Sequence, residues 1–198
     1  MKTLKMLIAA LFVLTVAVFA YAEHHENGSM HEEHGSMTDD HNLTKEISTA
    51  AIALINPTEE GSDVHGEVAL IEVEGGVSVI ATLSGVTPGK HGLHIHENGS
   101  CEDGGKAAGG HFNPAGKEHG LLPETGLEHA HAGDMGNIEI DENGQGVLEV
   151  ILPGVSLSGG DFDVMEKAII LHAQEDDFSQ PLGNAGGRIG CGIIGHAQ

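Results

Sequence analysis

Residues 64–86 read Val-His-Gly-Glu-Val-Ala-Leu-Ile-Glu-Val-Glu-Gly-Gly-Val-Ser-Val-Ile-Ala-Thr-Leu-Ser-Gly-Val. Val64, Gly66, Val68 and Leu70 alternate with His65, Glu67, Ala69 and Ile71. A period of two is the signature of a strand with one buried face. Gly75-Gly76 gives the turn its positive φ, as tight hairpins require. Val77–Val86 is then the returning strand, rich in the β-branched residues that suit a pleated surface. This stretch is a β-hairpin, and it sets the expectation for the whole chain.

Working outward, Thr87-Pro88-Gly89 is a turn and His91–His96 the next strand. Upstream, Ile47–Ile55 ends at Asn56-Pro57. Downstream, Gly136–Asp141 and Gly146–Leu152 flank a turn at Glu142-Asn143-Gly144. Lys167–His172 and Arg188–Gly195 complete the set. Eight or so short strands without an amphipathic helix predict an all-β fold, an eight-stranded sandwich or barrel. Two intervening stretches, 97–134 and 173–187, are polar, Gly-containing and aperiodic. Long loops of that kind usually carry function. Beyond residue 22 the only phenylalanines are Phe112, Phe162 and Phe178, so the core must be built from Ile, Leu, Val and Ala.

Three segments are expected. Lys2 and Lys5 precede an apolar run, Met6–Phe19, and Ala20-Tyr21-Ala22 has the small-x-small form of a cleavage site. Residues 1–22 therefore read as a signal peptide, which predicts export to a periplasm or the cell exterior. The alternative is a membrane anchor, for which the run is short. Residues 23–44 have almost no apolar side chain and are expected to be disordered. They carry His24, His25, His31, His34 and His41 with Met30 and Met37, a composition that suits copper-like ions. The alternative there is a plain solubilising tail. Residues 45–198 form the folded domain.

The formal net charge is −22. Loss of Lys2 and Lys5 with the signal peptide would leave six cations against thirty acids, about −24. Such acidity argues against nucleic acid and against stable association with anionic membranes. An anionic substrate would need a local positive field, and Arg188 is the only arginine. Cys101 and Cys191 are the only cysteines. In an oxidising compartment their natural state is one disulfide, closing a loop of about ninety residues and contributing roughly 4–5 kcal/mol in the chain-entropy model. Two free thiols are the alternative.

On a strand, His94 and His96 project from one face while Ile95 faces the other. Taken alone, the pair could be two surface histidines. The long loop adds His111, His119, His129, His131 and Asp134, and His172 ends a distant strand. Three imidazoles and a carboxylate suit tetrahedral zinc, and four imidazoles suit copper(II).

These residues fall into a recognisable series: His91-Gly92-Leu93-His94-Ile95-His96-Glu97, Gly109-Gly110-His111-Phe112-Asn113-Pro114, Lys117-Glu118-His119-Gly120 and His131-Ala132-Gly133-Asp134-Met135-Gly136-Asn137. With Ile169-Ile170-Leu171-His172 and Gly183–Gly195, the series resembles copper/zinc superoxide dismutase, in order, from about residue 47 to 198. The resemblance implies a Greek-key β-sandwich or barrel. It implies copper held by His94, His96, His111 and His172, and zinc held by His111, His119, His131 and Asp134, with His111 bridging. It places Asp176 between a copper His and a zinc His, makes His91 a structural neighbour, and leaves His129, His65 and His196 on the surface.

The activity implied is disproportionation of superoxide. One superoxide reduces copper(II) and leaves as oxygen, and a second reoxidises copper(I) and leaves as hydrogen peroxide. His111 would carry the proton, Arg188 would bind the anion, and Cys101–Cys191 would pin the long loop beside Arg188. Two departures stand out. The loop 173–187 is shorter than in eukaryotic members and has no steering lysine, which Lys106 or Lys117 would replace. The spacing from His96 to Cys101 and on to His111 looks like bacterial periplasmic members, which with His196 leaves a eukaryotic-type homodimer in doubt. A copper-delivery module with the same fold is the competing reading, motivated by the His/Met tail.

Overall fold

The computed structural model describes residues 50–197; the expected signal peptide and His/Met tail lie outside them. Nine strands are arranged around one barrel: β1 (Ala50–Pro57), β2 (His65–Val73), β3 (Gly76–Ser84), β4 (Gly89–His96), β5 (Asp134–Ile140), β6 (Gln145–Pro153), β7 (Ala168–His172), β8 (Arg188–Ile193) and β9 (Gly195–His196). The order is β2-β3-β6-β5-β4-β7-β8-β1-β9, with β1 also paired to β2. That extra pairing closes eight strands into an antiparallel barrel, so no long edge is left open. β9 is a two-residue addition to β1.

The β2–β3 hairpin runs in the register its alternation predicts, from His65↔Ser84 to Val73↔Gly76. Gly75 sits at φ +83° in its turn. Val68 and Leu70 on β2 and Val79, Ala81 and Leu83 on β3 point into the barrel, where they are almost fully buried. The order of strands is not the order of sequence. β3 pairs with β6, and β4 pairs with β7, so the chain crosses the barrel ends twice in Greek-key fashion.

β4 is buried along both faces from His91 to His96. Leu93 and Ile95 face the main core. His94 and His96 face outward, beneath the two long loops. Ile170 of β7 and Cys191 of β8 form a small second apolar cluster with Ala108 and Cys101 of the first loop. That cluster, and the Cys101–Cys191 disulfide with Cα atoms 5.7 Å apart, hold the loop on the barrel wall.

The first loop contains two single turns of helix that periodicity does not reveal, at Lys106–Ala108 and Leu122–Thr125. Asp134, expected in the loop, is the first residue of β5 and pairs with His94 across an irregularity in the β4–β5 register.

Candidate metal centre

β4 contributes His94 and His96, two residues apart on its outer face. β7 ends at His172, and the β4–β7 pairing sets His94 beside Ile170, so His172 lies at the same end of the wall. The first loop folds back over β4, with His111 in an isolated bridge opposite His96. His94, His96, His111 and His172 are all buried and each offers a nitrogen within 4.8 Å of the others'. His111, His119, His131 and Asp134 form a second such group. His111 belongs to both. Its Nδ1 lies 2.8 Å from Asp134 Oδ1, which leaves Nε2 for the first group.

The remaining nitrogens are tied down. His96 Nδ1 pairs with the Gly109 carbonyl at 3.0 Å, and His172 Nδ1 with the Gly186 carbonyl at 3.3 Å. Both rings thus turn Nε2 inward, the two atoms 3.4 Å apart. Asp176, fully buried, joins the groups from behind: its Oδ2 meets His94 Nε2 at 2.8 Å and its Oδ1 meets His119 Nε2 at 2.9 Å. Gly183, at φ +71°, packs against this link so closely that a Cβ would lie 1.7 Å from Asp176 Oδ1. His91 bonds the carbonyls of His172 and Thr87 and takes no part in either group. His129, His65 and His196 are exposed.

This donor set fits two cations. Buried polar atoms are ordinarily hydrogen-bonded, yet Nδ1 of His94 and Nδ1 of His119 have no such partner. Each is the ring nitrogen facing its group, while the other nitrogen is held by Asp176. The His119 atom lies 2.9 Å from Asp134 Oδ2 but outside hydrogen-bonding geometry. Burial lowers the imidazole pKa of His96 to about 2, of His172 to about 3 and of His111 to about 4. These three rings are therefore neutral at pH 7 and keep lone pairs free for a soft or borderline metal. His119 differs. Burial pulls it down, but the close carboxylate of Asp134, the hydrogen bonds to Asp176 and the charge of both outweigh that and raise it to about 9. Burial would raise both carboxyls, but the hydrogen bonds from His111 and His131 and the closeness of His119 at Asp134, and the hydrogen bonds from His119 and His94 to Asp176, hold each well below the usual carboxylate range. Only the second group contains a carboxylate: three imidazoles and one carboxylate suit zinc and four imidazoles suit copper(II), a division that matches the two expected metals.

A cleft of about 330 Å³ opens onto the first group, lined by His96, His111, His172, Leu182, Ala185 and Arg188. Arg188 donates from Nη1 to the Gly105 carbonyl and from Nη2 to the Gly109 carbonyl, at 2.5 and 2.6 Å. A guanidinium has five donors in a fixed fork, so three remain for a ligand in the cleft.

The family model for copper/zinc superoxide dismutase (SODC) matches residues 64–194. The chain belongs to the copper/zinc superoxide dismutase family. A copper/zinc superoxide dismutase 2 of Brassica juncea is 38% identical over 152 residues, covering 73% of this chain and 95% of that protein. Among solved structures, the crystal structure of the clock protein EA4 superposes with a TM-score of 0.68 at 32% identity, over 84% of this chain and all of that one. The chain is thus a superoxide dismutase of the type that uses copper and zinc. The disulfide expected from the cysteine count is present.

The sequence reading missed two residues here. Asn137 pairs with both the N–H and the carbonyl of Asp176, at 2.7 and 2.9 Å. Gln180 does the same for His119. Neither residue type signals such a role in one dimension; only the fold brings them to their partners.

Proposed function

We propose that the protein is an exported superoxide dismutase in which His94, His96, His111 and His172 hold copper and His111, His119, His131 and Asp134 hold zinc. The observation that carries this is the sharing of His111 between two buried donor groups. When bound, copper supplies the one-electron chemistry and zinc a fixed positive charge beside it. His111 presents Nε2 to the copper group while Asp134 fixes its Nδ1 side, so Nε2 is the atom at which a proton is held and passed to reduced product. Arg188, anchored by two carbonyls, binds the superoxide anion in the cleft and orients it. Asp176 fixes the tautomers of His94 and His119 by taking their outward N–H groups.

The amino-terminal segment supports the rest of the reading by composition. Residues 1–22 have the form of a signal peptide, so the mature enzyme acts in a periplasm or outside the cell. His24, His25, His31, His34 and His41 with two methionines capture copper for the site.

Metal analysis combined with His111→Ala tests the assignment. The parent should bind one copper and one zinc and catalyse superoxide decay. The variant should lose catalysis and the magnetic coupling of the two sites in a copper/copper derivative. A parent that binds a single metal with no shared ligand would sink the reading.

A further inference from the structure

His119 is buried, yet neither its N–H nor its carbonyl joins a strand or a turn. Both are taken by one side chain. Gln180 Oε1 accepts from the His119 N–H at 3.0 Å, and Gln180 Nε2 donates to the His119 carbonyl at 2.9 Å. Buried backbone groups need partners, and here a residue 61 positions away in the other loop supplies both. The pair forms a closed ring of two hydrogen bonds, which fixes the rotation of the His119 backbone as a single bond could not.

We infer that Gln180 is a positioning residue for zinc: it clamps the His119 backbone so that Nδ1 points into the group of Asp134, and it sets how fast zinc is released. The inference rests on the zinc assignment proposed above. Two features of the structure make the clamp matter. His119 is the one imidazole in its group that lies on neither a strand nor the turn leading into one. His111 bridges to β4, and His131 bonds from its own N–H to Asp134 Oδ2 at the start of β5. Without Gln180, His119 is held through its ring, by Asp176 and Asp134, and on its backbone by nothing of its own, only by the adjoining Gly120 N–H, which donates to Asp134 Oδ2 at 2.9 Å. The second feature is the loop that carries Gln180. Residues 173–187 also supply Asp176, Gly183 and the cleft residues Leu182 and Ala185. The clamp therefore joins the retention of zinc to the seating of one wall of the substrate cleft. Gln180 is itself exposed. Water competes for each bond singly, and the effect comes from making both at once.

Partners that orient a metal's ligands change affinity by about 10- to 100-fold when removed. The test uses the copper- and zinc-loaded full chain, with zinc and copper release to a chelator followed separately. Gln180→Ala and the near-isosteric Gln180→Met should each speed zinc release about tenfold or more, with copper release changed less than twofold over the same interval. Gln180→Glu keeps an acceptor for the N–H and loses the donor, so it should fall between. With cobalt(II) in the zinc position, the visible bands of Gln180→Met should shift from those of the parent. Zinc release at the parent rate in both Gln180→Ala and Gln180→Met would overturn the inference. So would equal acceleration of copper and zinc, which is general loosening. If instead the parent fails to bind zinc, the metal assignment itself fails, and that result is read before any variant.

Discussion

Arg188 donates from Nη2 to the carbonyl of Gly109 at 2.6 Å, reaching from β8 into a loop 79 residues earlier in the chain. Its second anchor, Gly105, lies in the same loop, four residues after the disulfide-bonded Cys101. Burial lowers the Arg188 pKa, but a guanidinium stays charged across the working range. Two carbonyls of one loop thus fix the chain's only arginine at the mouth of a cleft that ends on His96 and His172. Arg188→Ala should lower kcat/KM for superoxide about tenfold or more while copper content stays constant. Arg188→Lys restores the charge without the fork and should recover only part of the loss. An unchanged rate in Arg188→Ala, measured by pulse radiolysis on copper-quantified protein, would remove the anion-binding role.

A protein of net charge −22 that acts on an anion needs a local field opposing its global one. Among the described residues, Lys90 pairs with Glu175 at 3.0 Å and Lys117 with Glu128 at 3.2 Å. Lys167 lies over the Phe112 ring at 4.2 Å. Lys106 has no ion-pair partner among them, and it lines a groove that shares Gly186 and Arg188 with the substrate cleft. Glu59 and Asp103 line the same groove, so Lys106 and Arg188 together just balance them. Lys106→Gln should therefore leave a net negative approach. Its kcat/KM should drop several-fold at about 10 mM salt and converge on the parent near 1 M, where the screening length is about 3 Å. Lys117→Gln should change little. The reverse ranking would move the steering role to Lys117, the other candidate that the sequence offers.

The barrel and the donor groups were legible in the chain for different reasons. Alternation in Val64–Val73 encodes the buried face directly, because the period of a strand is a local property. His94 and His96 were readable as a pair on the same ground. Their convergence with His111, His119 and His172 was not local, and was expected only through resemblance to a family. The burial of β4 on both faces depends on the two long loops folding over His94 and His96, and nothing periodic marks it. Asn137 and Gln180 were invisible because an amide's role is set by which backbone it meets, and that is fixed by loop closure.

The tail composition yields a separable expectation. Deleting residues 23–44 removes five imidazoles and two thioethers and touches no residue of the metal groups. The fully metallated rate should stay within twofold of the parent. Copper loading at sub-micromolar free copper should slow several-fold, followed by the appearance of the copper(II) absorption. Equal loading of both forms would reduce the segment to a solubiliser.

The histidines also predict how the metal-free protein responds to pH. His96, His111 and His172 have folded pKa values depressed by burial to about 2, 4 and 3, against 6.5 for an ordinary imidazole. Below pH 6.5 the unfolded chain binds protons that the folded chain refuses. Stability is therefore lost as pH falls from 6.5, by about 1.4 kcal/mol per pH unit for each such ring once the unfolded form is protonated. His119 has the opposite sign. Its folded pKa is raised to about 9 by Asp134 and Asp176, so its contribution is complete below 6.5 and is lost as pH rises through 9. Three rings act on the acid side and one on the alkaline side. Urea midpoints of the metal-stripped protein should peak near pH 6.5, fall steeply toward about pH 5 and fall more gently toward about pH 8.5. Zinc must displace the His119 proton to bind, so its apparent affinity should rise with pH across the same alkaline window. A urea midpoint that is flat between about pH 5 and 6.5 would mean that the three rings are not kept neutral by burial, and the case for their free lone pairs would fall with it.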